Sequence, residues 1–180
     1  MLIEHLGKKP NVAPSAIIAP TAVICGDVTI GDRSCVGYGA VIVADRKPIR
    51  IGDHCIIRDQ VVIRSTAKHP VSIGNSVLIG PHSTLLGCTI ADEVFLATGC
   101  AIFHGSKIGK HSEVRIHGVV HLKTVLPEKS TVPIGWIAVG DPVQILPPDQ
   151  HEEDNSFDCF TCFGDSSILF RSRKSGCCNL

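Results

Sequence analysis

The stretch NVAPSAIIAPTAVICGDVTIGDRSCVGYGAVI, residues 11–42, carries an aliphatic residue at every sixth position. The residues at this step are Val12, Ile18, Ile24, Ile30, Val36 and Ile42. An amphipathic helix repeats every 3.6 residues and a half-buried strand every second residue, so neither explains a period of six. The period predicts a solenoid in which each hexapeptide supplies one short strand and one turn.

The same step of six continues through most of the chain. It restarts after two interruptions, and the further aliphatic positions are Ile51, Ile57, Ile63, Ile73, Ile79, Leu85, Ile90, Leu96, Ile102, Ile108, Val114, Val120, Leu126 and Val132. A repeat of this length predicts an all-β fold, a single-stranded parallel β-helix built of hexapeptide repeats. The aliphatic residue of each hexapeptide is expected to point into the core, where its burial stabilises the coil.

Three hexapeptides close one triangular coil of about eighteen residues, with neighbouring coils about 4.8 Å apart. The interruptions, DRKPIR at 45–50 and STAKHPVS at 65–72, are expected to bulge outward as loops. Tight corners favour glycine because it adopts backbone angles that other residues avoid. The glycines expected at the corners are Gly31, Gly52, Gly74, Gly80 and Gly109.

Composition argues against several classes of function. The 180 residues carry 17 Lys and Arg against 17 Asp and Glu, which gives zero formal net charge. This balance offers no electrostatic basis for binding nucleic acid or a membrane surface. The sequence shows no signal peptide and no apolar run long enough to span a bilayer. We expect a cytoplasmic protein with one globular domain.

Two stretches carry a specific resemblance. APSAIIAPTAVICGDVTIGDRSCVGYGAVI (13–42) and TVPIGWIAVGDPVQILPPDQHEE (131–153) resemble the gamma-class carbonic anhydrase-like proteins of the hexapeptide-repeat superfamily. The resemblance covers about residues 10–153 and implies a left-handed β-helix, an exception to the usual right-handed crossover, assembled as a homotrimer. It also implies a zinc ion held between subunits by three histidines, with arginine, aspartate and glutamine nearby. Such a zinc keeps one position for water, whose pKa falls toward 7.

The zinc positions implied by this resemblance hold other residues in this chain. Arg64 stands at the first histidine position, and Pro81 and Leu86 stand at the other two. Proline and leucine have no side-chain donor atom, and arginine stays protonated, so none of the three can bind zinc. Val43 likewise replaces the family's arginine. We expect no metal at the inherited site and no carbon dioxide hydration.

Charged residues matching the family pattern surround these positions. Asp45 and Asp59 match the two aspartates, Arg46 follows Asp45, and Arg58 stands where glutamine or asparagine is usual. Stacked coils are expected to bring these four residues and Arg64 near one another. The cluster is either a structural network of salt bridges or a pocket for a small oxyanion at the subunit interface, since guanidinium groups suit carboxylate-like anions.

Histidines elsewhere leave two alternatives open. A relocated zinc site could use His69 and His82, with a third ligand from the next subunit. Acyltransferases of the same superfamily use a histidine as general base, a role open here to His104 or His82. The favoured function is a gamma carbonic anhydrase-like trimer that binds a small anion without hydratase activity.

The nine cysteines fall into two groups. Five occur singly in apolar segments, as expected of reduced, buried side chains: Cys25, Cys35, Cys55, Cys88 and Cys100. The other four, Cys159, Cys162, Cys177 and Cys178, lie in residues 154–180, which we separate as a flexible tail from the β-helix domain of residues 1–153. The tail's spacing matches no zinc motif we recognise, and CCNL fits a prenylation box poorly.

Overall fold

The computed structural model of the chain describes residues 1–151. Within that range the chain forms β1 (Leu2–Ile3), β2 (Asn11–Val12), β3 (Ile17–Ile18), β4 (Val23–Cys25), β5 (Val28–Ile30), β6 (Cys35–Val36), β7 (Val41–Val43), β8 (Ile49–Ile51), β9 (Ile56–Ile57), β10 (Val62–Arg64), β11 (Val71–Ile73), β12 (Leu78–Ile79), β13 (Thr84–Leu86), β14 (Thr89–Ile90), β15 (Phe95–Leu96), β16 (Ala101–Ile102), β17 (Lys107–Ile108), β18 (Glu113–Val114), β19 (Val119–Val120), β20 (Val125–Leu126), β21 (Thr131–Val132), β22 (Ile137–Val139), β23 (Gln144–Leu146) and a 3₁₀ turn (Pro148–Gln150).

The strands form three sheets that wrap around one axis as a left-handed β-helix of about eight coils. Face 1 contains β1, β4, β7, β10, β13, β16, β19, β22 and β23; face 2 contains β2, β5, β8, β11, β14, β17 and β20; face 3 contains β3, β6, β9, β12, β15, β18 and β21. Each coil runs from face 2 to face 3 to face 1. We name the edges between faces corner 2/3, corner 3/1 and corner 1/2. The predicted fold class is confirmed.

The register between coils follows the predicted spacing. Val23 pairs with Val41, eighteen residues later in the chain. The two interrupted coils are longer, because the pairs Val41 with Val62 and Val62 with Thr84 span twenty-one and twenty-two residues. The extra residues lie at corner 1/2, after β7 and after β10. There the backbone N–H of Lys47 donates a hydrogen bond to the carbonyl of Thr66 at 3.2 Å, so the two loops stack on each other.

The predicted inward positions form the core. From Ile24 to Val132, the aliphatic residues at the step of six are at most 3% exposed. Val12 and Ile18, at the open first coil, are partly buried. The last coil is covered by β23, which pairs antiparallel with β22. Burial of each aliphatic side chain contributes about 1.5–3 kcal/mol to the stability of the fold. Every coil therefore depends on these stacked inward residues.

The corner glycines serve a different purpose from the expected one. A Cβ atom on Gly31 would lie 2.2 Å from Oδ1 of Asp53 in the next coil. That oxygen accepts a hydrogen bond from the backbone N–H of Asp32 at 2.8 Å. Glycine is therefore needed here for close approach between coils. The expectation of unusual backbone angles at the five predicted glycines is wrong, since the left-handed corner positions hold residues such as Arg33, with a φ of 55°.

The outward residues differ between the faces. Face 2 presents a mostly polar column of Asn11, Thr29, Arg50, Ser72, Thr89, Lys107 and Val125. Face 3 presents an apolar column over five coils, Ile17, Cys35, Ile56, Leu78 and Phe95, which continues with the polar residues Glu113 and Thr131. Face 1 presents a mostly apolar column of Val23, Val41, Val62, Thr84, Ala101 and Val119. Face 1 and the first five coils of face 3 are thus mostly apolar, and face 2 is mostly polar.

The tail of residues 154–180 lies outside the described residues. The boundary at Glu153, the zinc interpretation of the tail cysteines and the CCNL ending therefore stay predictions.

Replacing Ile79 by alanine is expected to destabilise the fold by about 2–5 kcal/mol, because it removes a fully buried side chain from β12 and leaves a cavity. Lys107→Ala is the control, because this exposed side chain points outward from β17 on face 2, and it should change stability by less than about 0.5 kcal/mol. Urea denaturation of both variants measures the difference. Equal midpoints would contradict the inward phase of the repeat.

Candidate functional site

Two of the positions that the family resemblance assigns to zinc ligands, Arg64 and Leu86, lie in one vertical column of face 1. The strand pairing aligns Val43 with Arg64 and Arg64 with Leu86. All three are the last residue of a three-residue strand whose middle residue points into the core, so their side chains point outward. Arg64 is exposed, whereas Val43 and Leu86 are partly buried. The column presents no atom that can bind a metal ion.

The third inherited position lies at the opposite edge of the same face. Pro81 is at corner 3/1, five residues before Leu86, and β13 runs between them. At about 3.3 Å per residue, five residues span at most about 16 Å, and β13 makes up the last three residues of that path. One subunit therefore carries two positions at one edge and one at the other. A site using all three has to form between subunits, as the family resemblance implies.

The five charged residues expected in one cluster fall into two groups. Asp45, Arg46 and Arg64 lie at corner 1/2, where β7 and β10 end, whereas Arg58 and Asp59 lie at corner 3/1, before β10 begins. Within one subunit the structure does not bring the five together, because β10 separates the two groups. Strands of one face run parallel, so residues at their two ends cannot meet through stacking alone.

Both aspartates of these groups have local partners. Oδ1 of Asp59 accepts a hydrogen bond from the backbone N–H of Tyr38 at 2.7 Å. Oδ1 of Asp45 lies 3.9 Å from Nε2 of His5. Asp59 therefore helps to hold two neighbouring coils together, whatever else it does.

The two histidines considered as relocated zinc ligands lie at different corners. His69 is in the loop at corner 1/2, and His82 is exposed at corner 3/1, next to Pro81. His82 occupies a left-handed corner position, with a φ of 59°. The length of β13 separates the two residues, so one subunit does not place both on one ion.

His69 lies instead beside His104, which follows β16. The two ring centroids are 6.0 Å apart. Burial, and to a lesser extent the neighbouring His69, lowers the pKa of His104. Nδ1 of His104 is buried and, within residues 1–151, has no hydrogen-bond partner. The sequence did not predict that His69 and His104 lie side by side.

Sequence reasoning missed this pair for a physical reason. His69 lies in the loop that interrupts the period of six, so the repeat assigns it no place on a face. His104 follows the regular phase one coil beyond Gly87, where the backbone N–H of Gly105 donates to the Gly87 carbonyl at 2.8 Å. From the sequence, only His104 could therefore be assigned a place on the β-helix.

Metal-binding groups are sparse in the part of the chain that the structure describes. There, no three His, Cys, Asp or Glu residues are placed to share one metal ion. A zinc ion at the inherited site does not fit Arg64, Pro81 and Leu86. Between residues 1 and 151, no helix has the length and apolar character needed to cross a membrane.

Sequence comparisons agree with the hexapeptide-repeat fold. A family model described as "Hexapeptide repeat of succinyl-transferase" matches residues 27–63 and 70–104. Gamma carbonic anhydrase 1, a mitochondrial protein of Arabidopsis thaliana, is 31% identical over 151 residues, 81% of this chain and 53% of that relative. A probable carbonic anhydrase of Methanocaldococcus jannaschii is 41% identical over 91 residues, 51% of this chain and 57% of that relative. The chain thus spans about half the length of the curated relatives it matches.

Solved structures share the architecture. A putative acetyltransferase from Bacillus cereus superposes with a TM-score of 0.70 at 25% identity, covering 84% of this chain and 87% of that one. A hexapeptide transferase family protein from Anaplasma phagocytophilum gives a TM-score of 0.58 at 27% identity, covering 84% and 86%.

The stacked hexapeptide coils and these matches define the class, a left-handed β-helix of the hexapeptide-repeat superfamily. Within that superfamily, the chain is gamma carbonic anhydrase-like, because it is similar to plant and archaeal carbonic anhydrases over about half of their length.

Proposed function

We propose that this protein is a homotrimer that has lost the family's zinc chemistry and binds a small oxyanion between subunits. The observation that carries the proposal is the outward column of Val43, Arg64 and Leu86 on face 1. It offers a guanidinium group where a zinc enzyme needs imidazole nitrogens. A guanidinium group binds carboxylate-like and other oxyanions through paired hydrogen bonds.

The trimer is supported by the distribution of outward side chains. Face 1 and the first five coils of face 3 carry apolar columns and meet at corner 3/1, whereas face 2 is mostly polar. A subunit with two different apolar surfaces can use one surface toward each of two neighbours, and such contacts close into a ring of three when neighbours are related by a third of a turn. In that ring, corner 3/1 of one subunit would approach face 1 of the next.

This arrangement would rejoin the divided charges. Arg58 and Asp59 of one subunit would face Arg64 of its neighbour, as Pro81 would face Leu86. Arg58 and Arg64 are both exposed in the isolated subunit, so each can turn toward a shared anion. Two guanidinium groups outweigh the single Asp59 carboxylate, which already accepts a backbone hydrogen bond. The net positive charge favours an anion such as bicarbonate.

The alternative of an acyltransferase draws support from the fold. Two solved neighbours are named as a putative acetyltransferase and a hexapeptide transferase. The lowered pKa of His104 favours the neutral imidazole, the form a general base requires. Transfer of an acyl group from a thioester to an amine, lost in His104→Gln, would establish this alternative.

The cytoplasmic location also stays a prediction, and the plant relative is named as mitochondrial.

The assembly prediction is a mass of about three times the subunit's 19.2 kDa by light scattering. Val62→Glu on face 1 should dissociate the trimer, because it places a charge within the apolar contact. Thr29→Glu on polar face 2 is the matched control and should leave the trimer intact. A monomeric unsubstituted protein would contradict the proposal.

The zinc prediction is that carbon dioxide hydration stays at background, with or without added Zn²⁺. The reason is that the inherited positions lack donors and cannot lower the pKa of a bound water. Stopped-flow hydration assays and metal analysis after dialysis against a chelator provide the measurement. Tightly retained, stoichiometric zinc together with hydratase activity would contradict this prediction and favour a relocated active site.

The anion prediction concerns bicarbonate binding, measured by isothermal titration calorimetry. Arg64→Ala should weaken binding at least about tenfold, since a charge-assisted hydrogen bond contributes about 1.5–3 kcal/mol. Arg50→Ala removes the same charge from face 2 and should leave the affinity unchanged. Equal affinities in the two variants would place the anion elsewhere or exclude it.

A further inference from the structure

A histidine pair at corner 1/2 is a separate feature from the arginine site. The ring centroids of His69 and His104 lie 6.0 Å apart, and their planes are inclined at 50°. His69 comes from the loop after β10 and His104 from the turn after β16, so two different coils supply the rings. Both side chains are partly buried.

Two glycines leave room for the pair. A Cβ on Gly87 would lie 2.5 Å from Cβ of His69 and 3.2 Å from Cδ2 of His104. A Cβ on Gly105 would lie 3.6 Å from Cε1 of His69. Any larger residue at Gly87 would push the two histidines away from the corner. The backbone here is therefore compatible with both rings only because a side chain is missing.

One nitrogen of the pair lacks the partner that burial normally requires. Nδ1 of His104 is buried without a hydrogen bond to any residue of the described range 1–151. Leaving a buried polar group unpaired costs about 1–3 kcal/mol, and a ligand that bonds to it recovers that cost. A neutral imidazole is the form of histidine that binds metal ions.

We propose that His69 and His104 together bind one divalent transition-metal ion, with water at its remaining positions. Imidazole nitrogen suits zinc, nickel and copper ions. Two imidazoles on one tetrahedral zinc ion, each bonded at about 2.0–2.1 Å, have ring centres roughly 5–5.5 Å apart, so the two rings have to move about 0.5–1 Å closer than the observed 6.0 Å to share the ion. The site goes beyond the proposed oxyanion function and does not depend on it.

The charge of Lys123 distinguishes a metal site from the alternative, an anion site at the same corner. Its backbone N–H donates a hydrogen bond to the His104 carbonyl at 2.9 Å. Its Cγ would lie 3.3 Å from a Cβ placed on Gly105, so the side chain passes the niche that His69 also borders. An ammonium group there repels a cation and attracts an anion. Removing its charge should strengthen metal binding and weaken anion binding.

The test is a calorimetric titration of the full-length protein with Zn²⁺. The four tail cysteines are replaced by serine beforehand, because thiolates bind zinc themselves. We expect about one ion per subunit, with an affinity at least about tenfold lower in His69→Gln and in His104→Gln. Lys123→Gln should raise the affinity. His54→Gln, at exposed corner 2/3, is the matched control and should change nothing.

Absence of Zn²⁺ binding, or binding that survives both histidine substitutions, would overturn the proposal. Sulfate binding that is lost in Lys123→Gln, with no Zn²⁺ binding, would identify an anion site instead. Circular dichroism shows whether each variant folds. If either histidine variant does not fold, Ni²⁺-induced broadening of the His69 and His104 imidazole resonances in the parent protein tests the same contact, and sharp resonances would refute it. The hydration and bicarbonate experiments do not bear on this test, because the metal site does not depend on the proposed oxyanion function.

Discussion

Backbone hydrogen bonds between successive coils are the interaction on which this structure depends. The N–H of Arg58, for example, donates to the carbonyl of Ile79 one coil further along, at 2.9 Å. Each strand is only two or three residues long, so no strand is stable alone. Their stacking at about 4.8 Å fixes which residues are vertical neighbours. Every core column, outward column and corner follows from that register.

The register also decides where chemistry can occur. Residues at the end of one face-1 strand stack on the ends of the strands above and below, which places Arg64 between Val43 and Leu86. A residue at the start of the strand, such as Pro81, cannot reach that column within its own subunit. A site that uses both edges would therefore form between subunits of the proposed trimer, and a change of side chains at the two edges would change it without disturbing the core.

The prism shape gives the same backbone three different surfaces. The inward residue of each hexapeptide is aliphatic on all faces, whereas the neighbouring outward residues are free to vary. On face 2 they are mostly polar, and on face 1 and the first five coils of face 3 they are largely apolar. Because the outward positions do not touch the core, their pattern reflects contacts outside the subunit. Face 2 is therefore suited to solvent, and the apolar parts of faces 1 and 3 are the surfaces that the proposed trimer would cover.

The sequence by itself determined the β-helix, its inward residues from Ile24 to Val132, and the absence of zinc donors at Arg64, Pro81 and Leu86, since a strict period and the chemistry of a side chain need no coordinates. The division of the charged residues between two corners, the role of Gly31 and the pairing of His69 with His104 came only from the tertiary structure. The period places residues on faces and corners but does not show which side chains of neighbouring coils touch, and the histidine pair also involves a loop that interrupts the period at corner 1/2. There, contacts depend on how the chain folds back over the next coil, and local sequence does not specify that path.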